Sequence, residues 1–511
     1  MLARVLSGAV SGLDGILVEV EVDIALGLPA FSTVGLAEGA VRESKDRVRA
    51  AIKNCGYEFP NRKITVNLAP ADLKKDGTGY DLPMGLGILA AAETFQSSLL
   101  DKYTIIGELS LDGAVRPVRG VLPLVIATRD RGLKGILVPD ANIKEASIVS
   151  GIDVIGIRTL PEAVEFLHGL HQLEPAKADV DSLFHQQKNY ESDFAEVKGQ
   201  AVAKRALEIA AAGSHNVLMQ GPPGSGKTML ARRMPTILPD LNFDEALETT
   251  KIYSIMGMLP NNCGIIATRP FRAPHHTISD AGLVGGGHNP RPGEVTLAHN
   301  GVLFLDELPE FKKNVLEVLR QPLEDRQVTI ARASHSLSFP ASFIMVTALN
   351  PCPCGYFGTS DSRHECSCTA VQVQRYKSRL SGPLLDRIDI HIDVPAVPFK
   401  DIADSSDPES SSVIRARVEA ARAIQKKRFS KRKTSFYNSH LRPKDLQIHC
   451  RLDDTSQKLL ETAVNRFGLS ARACHRIIKI ARTIADLAGT EQISREHIAE
   501  AIQFRKFDRQ H

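Results

Sequence analysis

Short apolar runs with the two-residue alternation of a β-strand follow longer stretches whose apolar positions recur every three or four residues, and changes in that pattern divide the chain. Up to about residue 171, strand-like runs at Leu17–Ile24, Lys63–Leu68 and Gly135–Pro139 alternate with helical patterns at Gly39–Asn54 and Pro83–Thr94. This predicts a separate α+β or α/β domain over residues 1–171. Residues 172–189 are polar and aperiodic, include Pro175, and read as a linker. Alternation resumes over 190–398, and the following DIADSSDPESSS predicts a hinge over 399–412. From 413 to 511, Ala, Ile, Leu and Arg recur at helical spacing with no convincing strand, so a small helical domain is expected. No repeat of fixed period is visible.

A chain of 511 residues exceeds one ordinary core, in keeping with that partition. Its 43% hydrophobic and 24% charged residues sit near globular averages and speak against wholesale disorder. The apolar stretch Leu82–Ala92 is broken by Gly and Pro and falls short of the roughly 20 residues that span a bilayer. The leading MLARVLSGAVSG has no apolar signal-peptide core, so a cytoplasmic protein without a membrane partner is expected. A net charge of +4 does not by itself announce nucleic-acid binding. Its distribution says more: between Arg415 and Lys433, Arg417, Arg422, Lys426, Lys427, Arg428, Lys431 and Arg432 share the stretch with one acid, Glu419. Such a run either touches phosphates or faces water. Of eight cysteines, four fall between positions 352 and 368, a clustering that suggests metal and not a secreted disulfide framework.

The sharpest chemical signal is Gly221, Pro222, Pro223, Gly224, Ser225, Gly226, Lys227 and Thr228, placed between the apolar run Asn216–Met219 and the helix-like Met229–Arg233. Strand, glycine loop and helix in that order make a phosphate-binding loop: the glycines let backbone N–H groups turn inward, Lys227 reaches the β and γ oxygens, and the Thr228 hydroxyl meets magnesium. About 80 residues on, GVLFLDE places Asp306 and Glu307 at the end of a buried strand. Asp306 is then the magnesium carboxylate and Glu307 the group that polarises the water attacking the γ-phosphate. Asn350, at the end of the run Ser342–Leu349, is placed to orient that water. The chemistry these residues imply is ATP hydrolysis with Mg2+.

Lys198-Gly199-Gln200, the phosphate loop, the LFLDE strand, Asn350 and Leu385-Asp386-Arg387 together resemble AAA+ ATPases of the magnesium-chelatase-like clade. RPFRAPHHTIS (269–279), HNGVLFLDELPEF (299–311), NPCPCG (350–355) and SGPLLDRIDIHI (381–392) resemble, more closely, the competence protein ComM family, over nearly the whole chain. The resemblance implies an α/β architecture: an N-terminal Lon-protease-like domain (ribosomal protein S5 domain 2-like), an AAA+ P-loop core with a parallel sheet, and a C-terminal helical lid. It places Gly199 and Gln200 beside the nucleotide, makes Asn350 the first sensor, Arg387 an arginine finger reaching a neighbour's γ-phosphate, and Arg472, in Leu469-Ser-Ala-Arg-Ala, the second sensor. It further implies a homohexamer that acts on single-stranded and branched DNA, promoting branch migration as transforming DNA is integrated, alongside other recombination proteins.

Lon-type proteolysis needs a serine and a lysine together, and both are missing from the corresponding stretches, Lys75-Asp-Gly-Thr-Gly-Tyr-Asp81 and Gly113-Ala-Val-Arg-Pro117. The N-terminal domain is therefore expected to be non-proteolytic, serving assembly or DNA contact. Cys352, Cys354, Cys366 and Cys368 offer four thiolates to a tetrahedral Zn2+, or stay reduced in a turn. His275 and His276 lie beside Arg269 and Arg272 in a Gly-rich insertion, which in this clade points toward the ring pore. Gln327–Phe339 predicts a hairpin with Arg332 and His335 in its polar middle. Arg272, Arg332 and His335 are the candidate DNA contacts. The competing function for the same motor is a chelatase-type remodelling subunit acting on a protein partner.

Overall fold

The computed structural model describes residues 1–36, 39–179, 184, 190–260, 263–287, 290–331, 336–358, 365–398, 408–430 and 437–505. They form two compact units, Met1–Gln187 with Phe243–Ala267, and Lys188–Asn242 with Thr268–His511.

In the first unit, strands β1 (Leu2–Ser11), β2 (Asp14–Ala25), β3 (Ala30–Val34), β4 (Lys63–Ala69), β5 (Tyr103–Ile105), β6 (Gly135–Pro139) and β7 (Asp153–Ile157) form a mixed sheet in the order β3-β4-β2-β1-β5-β6-β7. β1 and β2 make a hairpin in register from Leu2 opposite Asp23 to Ser11 opposite Asp14. Along β2, Val18, Val20, Val22 and Ile24 are buried while Glu19, Glu21 and Asp23 alternate with them, the period-two pattern of a strand with one face in a core. Helices α1 (Gly39–Asn54) and α2 (Asp81–Ala91) contribute to that core. Almost every side chain of α2 is buried, and a Cβ on its Gly87 would lie 2.7 Å from Val22 Cγ2, so glycine there sets how closely helix and sheet approach. A smaller apolar cluster holds α3 (Val121–Asp130) with Ile136, Val138 and Val154.

The helix Phe243–Met256 corrects the partition expected from sequence, which left it inside 190–398; Phe243–Ala267 packs within the first unit. Leu247 joins the α3 cluster, and Ser254 Oγ donates to the buried Glu145 carboxylate, which also accepts from Leu122 N at 3.1 Å and Asn142 Nδ2 at 3.3 Å. Burial pushes the Glu145 pKa up, and the three donors offset part of that cost.

The second unit is built on five parallel strands, β8 (Val217–Gln220), β9 (Phe271–Arg272), β10 (Val302–Leu305), β11 (Ile344–Leu349) and β12 (Ile390–Asp393), in the order β9-β10-β11-β8-β12. Every residue of β10 and β11 is buried, as expected of parallel strands covered on both faces. Helices α4 (Ala201–Gly213) and α5 (Lys227–Ile237) share the sheet's core with α6 (Ser411–Arg428) and α7 (Ala471–Leu487) of the helical C-terminal part. In α7, Ile477, Ile480, Ala481, Ile484 and Ala485 are buried at helical spacing. Among the described residues no helix is long and apolar enough to cross a membrane.

α6 carries much of the basic run, and the fold engages it internally. Arg415 bonds Asp240 and the Thr236 carbonyl, Arg417 pairs with Glu208 and Glu409, Arg422 donates to the Ala211 carbonyl and lies over the Tyr437 ring, and Arg428 pairs with Asp486. Phosphate contact by these four is not what the arrangement favours. Lys426 and Lys427 stay on the exposed face, and Lys431, Arg432 and Lys433 lie outside the described residues.

Candidate nucleotide site

β8 ends at Gln220 and the chain turns at Gly221, where a Cβ would lie 2.1 Å from the Val394 carbonyl oxygen, so only glycine passes beneath the end of β12. Gly226 caps α5 in the left-handed region, at φ 88°, which aims the first N–H groups of the helix into the loop. Lys227 is buried, and its Nζ donates to the carbonyls of Gly221 (2.8 Å) and Pro222 (2.9 Å) and to Asn350 Oδ1 (3.3 Å). Desolvation pushes its pKa down, while the Asp306 and Glu307 carboxylates push it back up. Thr228 Oγ1 donates to Asp306 Oδ2 at 2.8 Å, so the two oxygens read as magnesium ligands do meet. The Ser225 hydroxyl is buried in the loop without a hydrogen-bond partner among the described residues. Gln200, left-handed at φ 55° after Gly199 at φ 60°, donates to the carbonyls of Ser225 (3.3 Å) and Pro395 (2.6 Å), which ties it to the phosphate loop.

Glu307 leaves β10 at φ 50° and ψ 47°. That conformation costs a non-glycine residue roughly 1–3 kcal/mol and takes the side chain out of the strand's alternation. Its carboxylate is 56% exposed, and His276 Nδ1 lies 3.8 Å from it. Inward N–H groups, a lysine, a hydroxyl, two carboxylates and an amide therefore converge at the C-terminal edge of the parallel sheet, a donor set that fits a nucleoside triphosphate with magnesium.

The two candidate arginines are elsewhere. β8 and β12 run parallel with Val217 beside Ile390 and Gln220 beside Asp393, so Arg387 stands at the N-terminal edge of the sheet. The phosphate loop is a strand length away, roughly 10–13 Å. Arg387 pairs with Glu324 and donates to the Pro383 carbonyl at 2.6 Å, while Asp386 and Asp389 pair with Arg472 (3.7 Å) and Arg476. Arg472 is 70% exposed on this edge, so the structure does not bring it to the chain's own phosphate loop.

Family models for magnesium chelatase subunit ChlI match residues 20–142 and 193–402, and a model for the ChlI C-terminal part matches 408–505. The chain is 44% identical over 506 residues to the competence protein ComM of Haemophilus influenzae, a match covering 99% of this chain and 97% of the relative. The chain belongs to the ComM family of magnesium-chelatase-like AAA+ proteins.

Another relative, the Escherichia coli protein YifB, is 43% identical over 507 residues, with 98% of this chain and 96% of YifB covered. Similarity to Lon protease 2 of Bacillus subtilis, 25% identical over 182 residues, takes in 31% of this chain and 32% of the protease and agrees with a Lon-like part. The fold is α/β, with an AAA+ core on a parallel sheet and a helical C-terminus. AAA+ membership brings nucleotide and Mg2+ use with it.

In this ComM-family chain the four clustered cysteines converge: the Sγ atoms of Cys352, Cys354, Cys366 and Cys368 all lie within 4.8 Å of one another, with Cys352 at 3.3 Å from Cys354 and 3.7 Å from Cys366. A tetrahedron with metal–sulfur bonds of about 2.3 Å has edges of about 3.8 Å, so the set has zinc dimensions. The Tyr356 N–H leads in drawing the Cys354 thiol down, while burial and the neighbouring sulfurs push the Cys366 and Cys368 thiols up. A Cβ on Gly355 would fall 2.5 Å from Pro223 Cδ, so this loop closes directly on the phosphate loop.

The DNA candidates fare differently. Arg272 is held in a two-pronged pair with Glu294 at 2.7 and 2.8 Å, which leaves it poorly placed to take a phosphate. Arg332 and His335 lie outside the described residues, though the flanking strands Gln327–Ala331 and Ser336–Pro340 do pair as an antiparallel hairpin. Two residues near the site had no such role in the sequence reading. His276 was noted only as part of an insertion, and Tyr376, whose buried phenol is pushed up to about 12, follows Asn350 by too many positions for any local pattern to connect them.

Proposed function

We propose that the chain is an ATP-driven motor that assembles as a homohexameric ring and moves DNA strands, promoting branch migration and strand exchange in homologous recombination during natural transformation. The observation that carries this reading is the end-to-end likeness to a protein named for competence. The working parts are a non-proteolytic Lon-like domain over 1–171, a motor core over 190–398 less the segment Phe243–Ala267, and a helical lid over 413–511, joined at 172–189 and 399–412.

Lys227 and the N–H groups of Gly224 to Thr228 hold the phosphates, with Gly221, Pro222 and Pro223 shaping the turn, and on nucleotide binding the Lys227 ammonium exchanges loop carbonyls for phosphate oxygens. Thr228 and Asp306 would hold magnesium, which when bound offsets charge on the β and γ phosphates. Glu307 accepts the proton of the attacking water, and Asn350 orients that water. Arg387 and Arg472, both on the sheet edge away from their own phosphate loop, act on the nucleotide of an adjacent subunit, and this is the physical case for a ring.

On the same reading the cysteine loop is a structural zinc site that pins the turn after Asn350 against Pro223. One zinc per chain is expected by elemental analysis of protein purified without added metal. Cys352→Ser should lose the metal and lower ATPase activity; a metal-free parent protein with full activity removes the zinc assignment.

The deciding experiment is ATP hydrolysis with and without single-stranded and branched DNA, beside migration of a synthetic four-way junction. Hydrolysis stimulated by DNA, with junction movement that requires ATP, is expected. The matching family models describe a chelatase subunit, which favours a second reading, remodelling of a protein partner. Hydrolysis indifferent to every DNA tested would move the assignment there.

A further inference from the structure

We propose that Tyr376 is a positioning residue for Asn350, its hydroxyl holding the backbone from which the Asn350 amide reaches the water that attacks the γ-phosphate. The inference rests on Asn350 being the water-orienting group. The pairing of β11 with β8 ends at Leu349 beside Gln220, and the next N–H along the chain, that of Asn350, donates to the Tyr376 hydroxyl. The Asn350 side chain is held separately, its Oδ1 accepting from Lys227 Nζ at 3.3 Å. A bound triphosphate draws that ammonium toward its own oxygens, and the bond to Tyr376 then fixes the turn on which the amide stands.

The cysteine loop brings the two partners together. Cys352 lies just beyond Asn350, and Cys368 is followed at once by Thr369, whose hydroxyl caps helix Ala370–Lys377 by accepting from Gln372 N at 3.3 Å, while the Gln372 side chain accepts from Thr369 N at 2.9 Å. A helix begun at that point buries Val373 and Tyr376 on one face. Lys377 Nζ lies 5.7 Å over the Phe357 ring, and the Phe357 N–H donates to Cys352 Sγ at 3.3 Å, so the end of the helix is tied back to the same loop. Past the helix, Arg379 Nη1 donates to the Pro309 carbonyl at 3.3 Å and to Glu310 Oε1 at 2.8 Å, in the turn directly after Glu307. One short segment thus bonds to the ends of both strands that carry the water-handling groups. Burial and the Glu310 and Glu307 carboxylates push the phenol up to about 12, so at neutral pH a buried neutral hydroxyl, which needs a partner, meets the first N–H beyond the paired strand.

The test is a double-mutant cycle in the full chain, Tyr376→Phe, Asn350→Ala and the two combined, with steady-state ATPase measured for each and thermal unfolding as a check on folding. Tyr376→Phe keeps the buried ring and removes the oxygen alone. Its kcat is expected to fall about fivefold to a hundredfold with KM for ATP unchanged within about twofold, the span between one lost hydrogen bond and an ångström of misplacement. In the Asn350→Ala background the same substitution should cost less than about twofold, because the amide it positions is gone. With Asn350→Ala impaired, a parent-like kcat in Tyr376→Phe, a KM that rises in step with the loss of kcat, or equal losses in the two backgrounds overturns the positioning role alone. A parent-like kcat in Asn350→Ala removes the water-orienting reading itself, and the proposal with it.

Discussion

Glu307→Gln should bind ATP about as tightly as the parent chain and hydrolyse it about 10²–10⁴ times more slowly, the usual cost of losing a general base. The carboxylate is half-exposed and its ion-pair contact among the described residues is the His276 imidazole, so the amide can occupy the same space without disturbing the core. Lys227→Ala should behave in the opposite way, abolishing nucleotide binding and hydrolysis together, because its ammonium is the cation buried among the loop carbonyls that the phosphates are read to displace. Retained nucleotide after gel filtration, set against single-turnover hydrolysis, separates the two variants. The glutamine variant should also hold an assembled ring in ATP. A parent-like turnover in either variant means that the reaction is not carried out at this site.

Arg387→Ala is expected to lower hydrolysis by about 10³–10⁵, the scale of an arginine finger acting on a phosphoryl transition state. Its thermal midpoint should stay close to that of the parent chain. The partner it abandons, Glu324, is 59% exposed and returns to water, so little folding energy goes with the pair. Mixing Arg387→Ala with Lys227→Ala subunits should then restore part of the activity, because a ring containing both presents some interfaces with an intact phosphate loop on one side and an intact arginine on the other. Absence of any recovery across mixing ratios, with mixed rings shown to form, would place Arg387 in its own subunit's chemistry or in none.

Much of the candidate nucleotide site is legible in the sequence because its parts are contiguous. Eight consecutive residues make the phosphate loop, and two adjacent carboxylates end one apolar strand. The backbone of a tight glycine turn dictates residue type over a few positions, so type and spacing alone identify it. Helix Gly39–Asn54 and strand Gly135–Pro139 were likewise given by hydrophobic period, with the bounds the fold shows. The apolar pattern does not mark β1, since Gly8 and Ser7 interrupt it and pairing with β2 sets the strand's course.

Partners distant along the chain were decided by the tertiary structure. The segment Phe243–Ala267 follows the phosphate loop in sequence, yet Leu247 and Ser254 find their apolar cluster and their carboxylate in the first unit. The family resemblance makes Arg472 the second sensor, and the fold sets it beside Asp386 at the sheet edge away from the chain's own phosphate loop. The basic run of α6 reads in sequence as touching phosphates or facing water, and the fold supplies it with Asp240, Glu208 and Asp486. What a glycine or an apolar period requires is fixed by the local backbone, whereas a guanidinium pairs with whichever acceptor chain closure brings near. The sequence by itself therefore determined the residue types and backbone of the phosphate loop, and only the tertiary structure decided which charges stand beside it and which are paired elsewhere.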